Sequence, residues 1–338
     1  MSRPHRPPLD PKIWKKCAGP DVKIPKIHSK VYYFPKGHLE HACSSPAAST
    51  ISILDGYRAS FPCIVLAVDL LVEPLSDEVY AKLVLKPLTV DGGVQETAPP
   101  VILGQDDDED GNNYASYVKT LTVSETKSGF NMPRQCADLI FPELQMSQEV
   151  SVIDLPGKVY TYTYSKQNRL TKGWNNFVSE KNLVPNDSVV FIKNSAGQIY
   201  VGIRRNTNFP AAEAGGRGGK LTESAVLGAV DLANKNVAFE VVYYPTAGNW
   251  CNFVVDAKVV DDAMKIGWKS GMRAKLHVNN DEFSNLTIRG FQREGTISND
   301  SSNVPNWRML KVLMLSYFVL MIFQLHIVIK LNIIRLFV

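Results

Sequence analysis

Cysteine and histidine are scarce in this chain, and each shortage removes a class of answer. Of 338 residues only 5 are cysteines, at Cys17, Cys43, Cys63, Cys136 and Cys251, with no CxxC pair and an odd total. That pattern argues against a disulfide framework and points to a reducing compartment. The 6 histidines are scattered, and none lies in a recognisable catalytic motif, so the sequence offers no enzyme site. The stretch GHLEHAC brings His38, His41 and Cys43 together, yet no second half-site with zinc-ligand spacing follows, and no cofactor is expected. The first 16 residues are rich in proline, arginine and lysine and lack the apolar core of a cleavable signal peptide.

What is present describes a folded protein. A hydrophobic content of 45% with 21% charged residues excludes disorder of the whole chain. The length suggests about two to three domains of roughly 100 to 200 residues each. The formal charge of +4 is concentrated: Tyr114 to Arg205 holds 11 Lys and Arg against 7 Asp and Glu, while the remainder balances at 26 against 26. A locally basic module suits a polyanion partner, because each phosphate contact releases a counterion. A solvated basic face accounts for the same numbers, and charge alone favours it.

Composition shifts mark the organisation. Between Trp14 and Pro87 the runs SKVYYFP, PCIVLAVDLLV and EVYAKLVLKPL read as strands of one sheet. Asp91 to Asn113, with QDDDEDGNN, is an acidic loop or linker. From Tyr114 to Arg205 the strand signals crowd together as YVKTLTV, EVSVIDL, KVYTYTYS, SVVFIK and QIYVGIRR, with LPGK and NSAGQ as hairpin turns. Helices fit Pro133 to about Phe141 and GWNNFVSEKNL, where Trp174, Phe177 and Val178 share a face. Many short strands with two small helices predict a compact barrel-like domain. A Gly-rich connector, Ala211 to Lys220, and a helix over Thr222 to Ala233 lead to a further β-rich block: FEVVYYP, CNFVVDAKVV and MRAKLHV.

The last stretch is unlike the rest. Val312 to Ile329 is 18 residues without Lys, Arg, Asp or Glu, between Lys311 and Lys330, long enough for a membrane span. Two accounts stand: a genuine anchor holding the protein at a membrane, or a gene-model artefact appended to the coding sequence.

Three long motifs in order carry a family resemblance over nearly all of Asp10 to Arg308. IWKKCAGPDVKIPKIHSKVYYFPKGHLEH resembles the amino-terminal signature of the plant auxin response factors. LTVSETKSGFNMPRQCADLIFPEL resembles the opening of their B3 DNA-binding domain, and FEVVYYPTAGNWCNFVV the start of the region after it, closest to the short-tailed branch. The resemblance implies a mainly β protein with short helices. A seven-stranded B3 pseudobarrel (114–205) is inserted in a split dimerisation domain (10–113 and 206–236), followed by a Tudor-like ancillary β domain (237–308) and the hydrophobic tail (309–338). It further implies a nuclear factor that binds double-stranded DNA at paired TGTC-type auxin response elements as a homodimer or a heterodimer with other auxin response factors, and regulates auxin-responsive transcription. A membrane becomes a partner only if the 312–329 segment is genuine.

The same resemblance assigns residues. Two loops at one end of the barrel would enter the major groove, where base edges present a unique donor and acceptor pattern. Ser124, Thr126, Lys127 and Ser128 would line the first loop, whose small residues let backbone approach phosphate. Arg134, just after Pro133, would meet a phosphate at a helix amino terminus. Read from the residues alone, this stretch is an ordinary strand-to-helix connection in which Pro133 starts the helix. The family has a His and two glycines before the Phe, where this chain has Lys127, Ser128 and Gly129 before Phe130. The second loop departs further: a pattern of the type FRHxYRGxPRRHLLTTGW is replaced by YTYTYSKQNRLTKGW, leaving Lys166 and Arg169 as its cations. Thr171, Lys172, Asn175 and Lys193 align with phosphate-contacting positions. The expectation is weakened, salt-sensitive binding, or else a degenerate interaction protein that dimerises but reads DNA poorly. Ala225, Gly228 and Ala229 are the dimerisation candidates, since small residues admit a partner helix; internal packing explains them equally well.

Overall fold

The computed structural model describes residues 9–19, 22–43, 45–74, 76–88, 114–143, 146–205, 221–245 and 253–265, and the strand backbones 273–278, 291–297, 312–314 and 321–323. The acidic stretch before Asn113, the Gly-rich connector and most of the hydrophobic tail lie outside these residues.

The chain opens with α1 (Pro11–Ala18), β1 (Lys30–Tyr33), α2 (Pro35–Ala42), α3 (Ala48–Asp55), β2 (Phe61–Val72) and β3 (Val79–Pro87). The three runs expected to be strands of one sheet are β1, β2 and β3, and three helices lie before and between them. The first has its start written in sequence: the Asp10 carboxylate accepts from the backbone N–H of Lys12 at 2.7 Å, and Pro11 needs no partner at the first helical position. There follow β4 (Ala115–Thr120), α4 (Glu125–Ser128), β5 (Phe130–Asn131), α5 (Arg134–Ile140), β6 (Gln148–Asp154), β7 (Val159–Ser165), β8 (Arg169–Leu170), α6 (Trp174–Glu180), β9 (Ser188–Lys193) and β10 (Ile199–Arg204). Then come α7 (Glu223–Asn234), β11 (Phe239–Tyr243), β12 (Val254–Asp256), α8 (Ala257–Lys265), β13 (Arg273–Val278), β14 (Phe291–Ile297), β15 (Val312–Met314) and β16 (Met321–Phe323).

Two compact units result. One comprises Met1–Pro20, Leu70–Tyr80 and Thr89–Gly216. Its seven-stranded sheet runs β4-β9-β10-β6-β7-β8-β5, so the first and last strands in the order are joined in sequence by residues 121–129. Strands β6 and β7 alternate as one-sided burial requires: in β7, Tyr160, Tyr162 and Tyr164 are buried between exposed or half-buried threonines. Trp174, Phe177, Phe130 and Phe191 fill the core. Segment 76–77 is tied in by charge: Lys181 Nζ lies 2.8 Å from an Asp77 oxygen and 2.7 Å from Asp154, and Arg205 donates to Asp187 at 3.0 Å and to the Ser76 carbonyl at 3.2 Å.

The other unit comprises Asp21–Asp69, Ala81–Leu88 and Arg217–Val338. Its five-stranded sheet has the order β11-β3-β2-β1-β12. Thus β11 and β12, which follow residue 237, pair with β3 and β1 rather than with the four-stranded sheet β13-β14-β15-β16 further on. The AKVV that closes the run CNFVVDAKVV, read as β-rich, instead opens helix α8, with Val260 and Ala263 buried three residues apart. Within the tail, 312–314 and 321–323 are antiparallel strands, Leu313 opposite Ile322. Among the described residues no helix is long and apolar enough to cross a membrane.

The sheet unit buries aromatic rings around two histidines. His38 stacks on Phe253 at 4.3 Å and shares a 2.9 Å hydrogen bond with the Tyr33 hydroxyl. Burial pushes the His38 imidazole down to about 3. His41 Nε2 accepts from the Tyr244 N–H at 3.1 Å, so both rings serve packing, and among the described residues no metal-binding cluster forms. Burial also pushes the thiols of Cys17, Cys63 and Cys136 up to about 12, leaving them unreactive.

Candidate nucleic-acid interface

The first loop is built around a buried carboxylate. Glu125, 1% exposed, accepts from the Thr122 N–H at 3.0 Å, the Thr122 hydroxyl at 2.9 Å, the Asn131 N–H at 3.1 Å and the Lys119 ammonium. Its own N–H lies 3.4 Å from the Thr122 hydroxyl, completing a reciprocal capping box that starts a single helical turn. Trp174 Nε1 donates to the Glu125 carbonyl at 2.7 Å, which pins that turn to α6. Lys119 also donates to the Asn131 carbonyl and lies over the Phe130 ring, 4.7 Å from its centroid. One amine on β4 therefore reaches β5 across the place where the barrel's two end strands meet without a ladder.

The second loop is short. Lys166, Gln167 and Asn168 form a three-residue turn between β7 and β8, with Asn168 at φ 53°. The Tyr164 hydroxyl donates to the Asn168 side chain at 3.1 Å, and the Asn168 carbonyl accepts from the Met132 N–H at 2.8 Å. Arg169 turns inward, donating to the Ser128 carbonyl. It fits because Gly129, at φ 109°, has no side chain: a Cβ there would come within 2.9 Å of the Leu170 carbonyl and 3.2 Å of the Arg169 guanidinium. Arg169 is thus a half-buried tie between the loops, with one guanidinium nitrogen engaged by Ser128.

The hydroxyls are also committed. Thr126 donates to the Val123 carbonyl at 2.9 Å, and Ser128 to the Ser124 carbonyl at 3.0 Å; Ser124 shares a hydrogen bond with the Thr122 hydroxyl at 3.0 Å. Thr171 lies 3.3 Å from the Thr163 carbonyl. A hydroxyl has one proton to give, so Thr126 and Ser128 must release a backbone carbonyl before they can donate to phosphate. What remains at this end are cations and backbone. Lys127, Lys166 and Lys172 are exposed, and none of them takes part in an ion pair among the described residues. Arg134 is exposed at the start of α5, 3.7 Å from the equally exposed Asp138, a contact that solvent makes weak. Asn175 is exposed on the first turn of α6.

Gly173 sets the direction of this last segment. At φ 91°, a Cβ would fall 2.2 Å from the Thr161 carbonyl, so only glycine lets Lys172 leave the β7 edge, where its carbonyl accepts from the Thr163 N–H at 3.1 Å, and enter α6. Lys193 does not join the group around the first loop. It pairs with Ala115, whereas that loop departs after Thr120, about 17 Å along β4 at ~3.3 Å per residue. Of the dimerisation candidates, Ala225 and Gly228 are exposed on α7, but Ala229 faces inward with Val226, Val230 and Ala233.

Sequence reasoning missed Lys119, Glu125 and Asn168. The signal for Glu125 was there as Thr122-x-x-Glu125, a capping-box spacing, but a charged residue in a polar loop is ordinarily read as exposed.

Seven strands, two loops on one edge and a surplus of exposed lysine define a DNA-binding barrel, and residues 117–207 match the B3 DNA binding domain. Similarity extends well beyond it. The chain is 34% identical to "Auxin response factor 17" of Arabidopsis thaliana over 89% of its own length and 57% of that protein's. It is 34% identical to "Auxin response factor 16" of the same plant, covering 90% of this chain and 52% of that one. Against "Auxin response factor 8" of Oryza sativa subsp. japonica the identity is 33%, covering 82% and 46%. Over 82–90% of its own length the chain is similar to auxin response factors, and it spans about half the length of the curated relatives it matches.

Proposed function

We propose that this protein is a nuclear transcription factor that binds double-stranded DNA at paired TGTC-type auxin response elements as a dimer, with itself or with other auxin response factors, and regulates auxin-responsive genes. The observation that carries the reading is the exposed trio Lys127, Lys166 and Lys172, none of them in an ion pair among the described residues, beside a loop hydrogen-bonded through Glu125. Cations without internal partners lose nothing in stability when phosphate takes them, and each contact releases a counterion. Ala225 and Gly228 leave an open strip on α7 where another helix fits closely; a Cβ on Gly228 would meet nothing within 4 Å.

A second reading has its own observation. The three-residue turn at Lys166 lacks the arginines that would read guanine, each worth ~1–3 kcal/mol of discrimination, and Arg169 is bonded to the Ser128 carbonyl. On that ground the chain would be a dimerisation partner that grips DNA with little preference. Titrating the full chain onto an inverted TGTC repeat and onto a scrambled duplex separates the two. At least ~10³-fold preference supports a sequence-specific factor; equal affinity, steeply salt-dependent on both duplexes, supports the interaction protein.

A further inference from the structure

We propose that the buried pair Lys119 and Glu125 positions the first DNA-contacting loop, so that it meets DNA already formed rather than folding on contact. This inference rests on the DNA-binding reading and adds two positioning residues to it, neither of which would touch the duplex. The argument is one of connectivity. Glu125 takes bonds from both ends of its loop, Thr122 on one side and Asn131 on the other, while its carbonyl holds α6 through Trp174. Lys119 adds the strand before the loop and, through the Asn131 carbonyl, the strand after it. Together the two side chains fix the six residues 125–130 from inside, leaving Lys127 at the exposed crest. A buried ion pair is weak evidence for stability but well suited to specifying one conformation, because a displaced loop would strand both charges in a nonpolar interior.

The consequence is measurable as a population. If binding requires the held loop, apparent affinity scales with the fraction of molecules that have it. Three variants of the full chain are compared: Glu125→Gln, which keeps the shape and removes the charge; Lys119→Met with Glu125→Gln, which removes both charges; and Val201→Ala, a core truncation in β10, away from the loop, that lowers stability by another route. Amide hydrogen exchange is read without DNA, and affinity for the paired element well below each melting temperature.

The expected result for Glu125→Gln is faster exchange at Ser128 and Asn131 with β9 and β10 unchanged. With it should come a loss of affinity of about 10-fold, with the salt slope intact because the surface lysines remain. The double variant should lose affinity similarly, and Val201→Ala should bind within about twofold of the parent while melting lower. Unchanged loop exchange in Glu125→Gln overturns the inference, as does a loosened loop that binds as before, or an affinity loss in Val201→Ala equal to that of the loop variants. Should the parent bind no duplex, the DNA-binding reading fails and takes the positioning role with it, while the exchange measurement still decides whether the pair holds the loop.

Discussion

In the barrel, the buried cations Lys119, Lys181 and Arg205 each sit against a carboxylate, whereas in the sheet unit the buried His38 and His41 stack on Phe253 and Tyr243. Burying a charge costs several kcal/mol unless it is paired, so each barrel pair is indifferent while complete and costly when halved. A buried neutral ring costs little until something protonates it. The barrel has therefore committed its buried polar groups to geometry, holding loops and ends in one arrangement, and its exposed Lys127, Lys166 and Lys172 form no ion pair among the described residues. The sheet unit has committed its polar groups to packing, and leaves a helix face of small residues outside.

Backbone constraint should separate the two units most widely. Gly173→Ala places a methyl 2.2 Å from the Thr161 carbonyl at positive φ, and should destabilise the barrel by about 4 kcal/mol or more, measured by urea unfolding of the barrel's buried amides. The amides of Tyr33 and Val241 in the sheet unit report whether the damage stays where the constraint is. Next in size is the replacement of Lys127, Lys166 and Lys172 together by glutamine. It should reduce the slope of log affinity against log salt by about 3 and weaken binding at ~0.1 M salt by about 100-fold or more, without lowering the melting temperature. If Arg169→Ala shrinks the slope as much as a lysine change does, Arg169 reaches phosphate, and its bond to Ser128 is not its main role.

Acid should move the two units in opposite directions. His38 has its folded value pushed down to about 3 by burial, from an ordinary 6.5, so only the unfolded chain takes a proton between those limits. Stability present above pH 6.5 is lost as pH falls, by about 2 kcal/mol between pH 7 and pH 5 at ~1.4 kcal/mol per unit. Asp77 has its folded value pushed up to about 6 by burial, outweighing its bond to Lys181. The folded barrel therefore gains relative stability as pH falls through 6, and that gain is complete below the ordinary value of 3.8. Urea midpoints at pH 7 and 5, followed on Tyr33 and Val241 for the sheet and on Val189 and Phe191 for the barrel, should diverge, and His38→Phe should remove the sheet's share. The smallest effect is Gly228→Ala, a helical site with open space, which should stabilise the sheet unit by about 0.5–1 kcal/mol. A simultaneous fall in dimer affinity would show that a partner helix needs that space.

Much of this was written in the sequence. Runs of strand-forming residues located β6, β7, β9 and β10, and Trp174, Phe177 and Val178 at helical spacing located α6. The two-residue strands β5 and β8 carry no period to read, yet they hold the two loops together through Phe130 opposite Leu170. The loop's hydroxyls and cations were visible as residue types, but not which of them were already engaged. Lys119 and Glu125 look like surface charges on a strand and a loop, and only the folded barrel brings them together; Arg169 looks like a free cation until Gly129 lets it turn inward.

The most direct test of the account is to map a paired-element duplex onto the protein by amide chemical shifts at low salt. The account predicts shifts concentrated at 122–128, 166–168 and 171–175, with Lys193 and its neighbours on β9 quiet. Shifts centred on Lys193 and Ala115, with the Glu125 loop unmoved, would contradict it.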